Sequence, residues 1–137
     1  MSTTASGTIE MKSWDEKTWD GKPHNEVSGH KLTQGTMVGA YHGDLDASGE
    51  TRFVMTYADD ANCESTGHEL VTGTLGDRTG TFVLQHVSGF HDGTVTGGFT
   101  VVAGSGTGEL EGLSGHGEVV WAEGQSGTYT LEYDLPA

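Results

Sequence analysis

The sequence predicts an all-β domain of eight or nine antiparallel strands. Three observations predict it. Runs rich in β-branched, aromatic and Leu residues recur up to the C-terminus. Glycine, Asp and Asn turns cut them about every 8–12 residues. No stretch shows helical periodicity bounded by caps. Glycine is abundant at 23 residues and proline scarce at 2, which suits a tightly turned β-protein.

The strands are placed near residues 4–14, 27–33, 36–46, 51–58, 64–75, 79–90, 94–103, 115–122 and 128–135. The polar segment 15–25 (DEKTWDGKPHN) reads as a loop over one end of the fold. Turns are expected at Asp46-Ala-Ser-Gly49, Asp59-Asp60-Ala-Asn62, Gly76-Asp77, His91-Asp92-Gly93 and Gly124-Gln-Ser-Gly127. Asp92-Gly93 between two strand-like runs is a strong hairpin signal. Phe53, Met55 and Tyr57 alternate with polar residues, as do Tyr129, Leu131, Tyr133 and Leu135. Such strands have one wet face. The runs Phe82-Val83-Leu84, Val101-Val102-Ala103 and Val119-Val120-Trp121 do not alternate, so both their faces are expected to be covered. A second subunit, making a homo-oligomer, or the chain's own ends would do this. Pattern alone leaves a sandwich and a barrel equally open.

The chain's 137 residues favour one domain spanning 1–137. Its formal net charge is -14, from 20 acidic and 6 basic residues without a basic cluster. Nucleic acid and anionic membranes are therefore not expected partners. A single cysteine, Cys63, and no visible signal peptide point to the cytoplasm.

The order GHELVTGTLGDRTGTFVLQHVSGF, VVAGSGTGELEGLSGHGEV and YTLEYDL resembles an uncharacterised bacterial family of single domains. That family has an allene-oxide-cyclase-like β-barrel, and the likeness spans nearly the whole chain. The piece VVAGSGTGELEGLSGHG is similar, more loosely, to a strand–turn–strand of plant allene oxide cyclases, dirigent proteins and some bacterial spirotetronate cyclases. The resemblance implies a closed antiparallel β-barrel of about eight strands, often oligomeric, with a central cavity. It also implies kinship with cofactor-free cyclases and stereochemical guides for apolar substrates. No residue matches the polar groups of plant allene oxide cyclases one by one, so that site is not carried over.

Glu69 shares a face with Val71, Gly73 and Leu75. Facing inward, it is a candidate proton-transfer group; facing outward, it is a surface charge. His86 shares a face with Phe82, Leu84, Ser88 and Phe90, and is either a second catalytic candidate or a hydrogen-bonded core residue. Its neighbour Gln85 points the other way. Tyr57, Tyr129 and Tyr133 sit on apolar faces, where their hydroxyls need partners. With Phe82, Met55 and Trp121 they are candidate ligand-binding residues, or else they fill the barrel solid. Trp14 and Trp19 read as packing or barrel-mouth residues. No metal site is expected: the seven His are scattered, with no HExxH and no paired Cys. Acidic neighbours argue against a reactive Cys63 thiolate. Gly104-Ser-Gly-Thr-Gly108 lacks the Lys and helix of a phosphate loop and reads as a strand connection.

The sequence thus predicts a cofactor-free barrel that binds a small, largely apolar metabolite. Any reaction would be a cyclisation or isomerisation with Glu69 or His86 moving the proton. The alternative is a structural or partner-binding module with a solid core and no activity.

Overall fold

The computed structural model describes residues 2–122 and 126–136. Eight strands follow one another: β1 (Thr3–Thr18), β2 (Lys31–Gly43), β3 (Leu45–Asp59), β4 (Asn62–Leu75), β5 (Arg78–His91), β6 (Thr94–Val101), β7 (Ser114–Ala122) and β8 (Gly127–Asp134). Each pairs antiparallel with the next, and β8 pairs with β1 to close a barrel. Closure leaves no strand without a neighbour on either side and decides between the sandwich and the barrel.

Alternation sets the two faces. Phe53, Glu69, His86, Phe99 and Leu131 point inward, while Arg52, His68, Gln85, Thr100 and Glu132 point out. In β1 the parity changes once. Ala5 and Ile9 face the core, the pairing with β2 slips between Met11 and Ser13, and Glu16 and Thr18 are buried beyond it. This is a β-bulge: one extra residue turns the rest of the strand over.

The expected strands are corrected in three places. Segments 27–33 and 36–46 are one strand, β2, from Lys31. Gly35 lies within it because a Cβ there would strike the Asp15 carbonyl and the Phe53 ring. The expected turn at 46–49 is the start of β3, and the chain reverses at Gly43 with φ 109°. The loop expected at 15–25 begins only after Thr18, because β1 continues past its bulge. At Asp92-Gly93 both residues have positive φ, 52° and 82°, as a two-residue hairpin turn requires. The last expected turn falls largely on 123–125, outside the described residues.

One half of the barrel is packed solid. Leu45, Val71, Leu75, Phe82, Leu110 and Leu131 meet there, each no more than 1% exposed. Leu110 comes from the β6–β7 connection. β5 has 14 residues and β6 only 8, so part of β5 lacks a strand partner. The connection takes that place: Val102 N–H donates to Val83 O, Thr107 N–H to Thr81 O, and Val83 N–H to Ser105 Oγ. A single 3-10 turn, Gly108–Leu110, then drops Leu110 into the barrel end. The outer side of Val83 and Val102 is thus half-covered by this connection, while Val87 and Val120 remain exposed.

Candidate functional site

The other half of the barrel is hollow. A cavity of about 450 Å³ lies inside it, walled by Ile9, Met37, Phe53, Met55, Phe90 and Trp121 among others. Glu69, His86 and Tyr41 come together in its wall, which also carries the polar side chains of His24, Thr51 and Ser88.

Local pairing brings Glu69 and His86 together. His86 on β5 sits opposite Gly67 on β4, so Glu69, two residues along β4, is its diagonal neighbour. His86 Nε2 lies 2.7 Å from Glu69 Oε1. The Tyr41 hydroxyl donates to the same oxygen at 2.6 Å. Tyr41 comes from β2 and must reach across β3, which it does over Gly49. A Cβ on Gly49 would strike Glu69 Oε2 and press on the Tyr41 ring. Glu69 is 1% exposed and Tyr41 3%. Burial, and then the Glu69 charge, hold the Tyr41 phenol well above its ordinary pKa of 10.0. Tyr41 therefore stays protonated and serves as a fixed donor.

Chemically, this is a carboxylate-backed imidazole. When Nε2–H is given to Glu69, Nδ1 keeps its lone pair. Nδ1 makes no hydrogen bond among the described residues and is not sealed off. It is the basic atom open to the cavity.

A second buried carboxylate sits toward the mouth. Glu16 Oε2 accepts from Thr33 Oγ1 at 2.6 Å and from the Tyr57 hydroxyl at 2.7 Å. Its Oε1 accepts from Trp14 Nε1 at 3.2 Å and lies 3.5 Å from His24 Nδ1. Trp14 stacks on Phe53 at 4.6 Å between ring centroids. Burial, and then Glu16, push the Tyr57 phenol well above 10.0. Cys63 is buried nearby; burial first, then the Glu16 and Glu64 charges, push its thiol to about 11. Among the described residues, no three His, Cys, Asp or Glu are placed to hold a metal ion. A wider depression of about 660 Å³ on the outer wall is lined by Lys17, Arg52 and His68. These side chains are solvated and bring no buried polar group to it.

Over residues 5–133 the sequence matches the family described as "Protein of unknown function (DUF3224)". The chain belongs to the DUF3224 family. The barrel is similar to the crystal structure of a DUF3224 protein of unknown function from Shewanella oneidensis MR-1. The two are 25% identical, with a TM-score of 0.80 over 100% of this chain and 99% of the other. No curated protein matches the sequence.

Of the residues singled out from the sequence, this DUF3224 barrel brings Glu69, His86, Met55 and Trp121 to the cavity wall. Tyr57 stands beside it, its hydroxyl committed to Glu16. Phe82, Tyr129 and Tyr133 belong to the packed half instead. Tyr129 is a backbone clamp: its hydroxyl accepts from Leu45 N–H at 2.9 Å and donates to His42 O at 3.1 Å. Tyr41 and Glu16 were not singled out. Only the bulge in β1 turns Glu16 inward, and only the gap at Gly49 lets Tyr41 meet Glu69.

Proposed function

We propose that this DUF3224 protein is a binding barrel for a small, largely apolar metabolite, equipped for cofactor-free proton transfer. The observation that carries the reading is the convergence of Tyr41 and His86 on one oxygen of Glu69, in the floor of an apolar cavity of about 450 Å³. A cavity of this size holds a small ligand, and few polar groups then fix its orientation. His86 would take a proton from the substrate at Nδ1 and return it at another atom of the same substrate. Glu69 holds the ring and stabilises the imidazolium formed in between; Tyr41 fixes Glu69. Isomerisation and cyclisation are the reactions such a pair supports, because the proton is returned and no electrons leave the substrate.

The test is a fluorescence titration with N-phenyl-1-naphthylamine, an uncharged apolar probe. Saturable binding is expected, weakened in Ser88→Phe, which fills the cavity beside His86. A linear, unsaturable signal, or binding untouched in a folded Ser88→Phe variant, would contradict the reading. Once a substrate is known, Glu69→Gln should slow turnover by about 10²-fold or more.

A further inference from the structure

We infer that the preferred ligand of this cavity is an organic cation, a protonated amine on an apolar body. The inference deepens the binding reading above and rests on it.

The polar end of the cavity is built of acceptors. The two strong donors at the floor, the Tyr41 hydroxyl and His86 Nε2–H, are both spent on Glu69 Oε1. What faces the ligand there is a carboxylate and, on neutral His86, the Nδ1 lone pair. A ligand carbonyl or carboxylate would find both of these donors taken and only the neutral hydroxyls of Thr51 and Ser88 left in the wall. An ammonium group brings its own donors and a charge that Glu69 complements.

No Lys or Arg lines the cavity, although the wall includes residues from seven of the eight strands. The nearby Lys31 is committed elsewhere. Its Nζ donates to His24 O and Val27 O and lies over the Tyr57 ring. The only groups in the wall that could carry a positive charge are the imidazoles of His24 and His86, and each already lies against a carboxylate, Glu16 and Glu69. Besides Tyr41, four aromatic rings line the same space: Trp14, Phe53, Phe90 and Trp121. Aromatic faces attract cations, most strongly where water is excluded. The Glu16 carboxylate behind Trp14 adds negative charge at the mouth. The net charge of -14 draws cations toward the protein and repels anions.

The experiment compares three ligands with one apolar body: 4-phenylbutylamine, 4-phenylbutan-1-ol and 4-phenylbutyrate. Affinities are read by calorimetry at about pH 8, where the amine is charged and the acid ionised. The amine should bind about tenfold or more tighter than the alcohol, with the butyrate weakest. In Glu69→Gln the gap between amine and alcohol should close to about threefold or less, with the alcohol little changed. Alcohol or butyrate binding as tightly as the amine would overturn the inference. So would failure of all three while N-phenyl-1-naphthylamine still binds; that result would leave the binding reading standing. Failure of the naphthylamine as well would overturn both.

Discussion

A carboxylate 1% exposed inside a barrel persists only when its charge is met, and Glu69 is met twice on one oxygen. Hydrogen bonds to a charged group contribute about 1.5–3 kcal/mol each, and an unpartnered buried charge costs more than that. Gly49 is the residue that makes the arrangement fit. Gly49→Ala should destabilise the protein by about 1–3 kcal/mol and shift the His86 ring resonances, read by urea unfolding and NMR. Unchanged stability would mean that Glu69 and Tyr41 do not meet over Gly49. The raised Tyr41 pKa gives a second prediction. Below pH 10.0 the phenol is protonated in both folded and unfolded chains. Above it the unfolded phenol ionises first, so the unfolded chain binds fewer protons and stability falls as pH rises. Tyr57 and Tyr129, also raised by burial, act with the same sign. Urea midpoints should drop from about pH 10 upward, and less steeply in Tyr41→Phe. At this scale Glu69 and His86 could be named as candidates, because unbroken alternation groups each with apolar residues on one face; that this face turns inward was not legible. Tyr41 could not be named, because its partner is two strands away.

At the scale of elements, two irregularities decide what the regular strands cannot. The bulge in β1 reverses the strand's faces and puts Glu16 inside, which simple alternation from Ile9 would not reveal. The β6–β7 connection acts as a short extra strand on β5 and supplies the plug Leu110. Its glycines read correctly as a connection, but its pairing with β5 depends on the unequal lengths of β5 and β6. Leu110→Ala should cost about 2–5 kcal/mol by denaturant unfolding while leaving binding in the folded protein unchanged, since the plug lies in the opposite half. A loss of binding without a loss of stability would place Leu110 in the wrong half. Merged strand β2 teaches the same lesson from the other side. Gly35 looked like a break, yet its missing side chain makes room for the Asp15 backbone and Phe53 within a continuous strand.

For the molecule as a whole, the barrel divides into a solid half and a hollow half. Eight strands leave room for side chains or one small ligand, and this chain uses both options in turn. Large residues on the inner face do not reveal which half they occupy. Phe82 and Tyr133 help to pack one end, whereas Met55 and Trp121 wall the cavity at the other. The axial position depends on strand stagger, which a single sequence does not display. We further propose that the exposed Val120, from one of the non-alternating runs, meets a second copy of the chain together with the exposed Val87. No helix among the described residues is long and apolar enough to cross a membrane.

Whether the hollow half receives a ligand can be read from reporters that the chain itself carries. Met11, Met37 and Met55 all line the cavity. The most direct measurement is an NMR titration of protein carrying 13C-methyl methionine with 4-phenylbutylamine. All three methyl signals should shift along one common saturation curve, and the shifts should shrink in Ser88→Phe. Methyl signals that stay fixed while the ligand saturates would place binding outside the barrel and contradict the account.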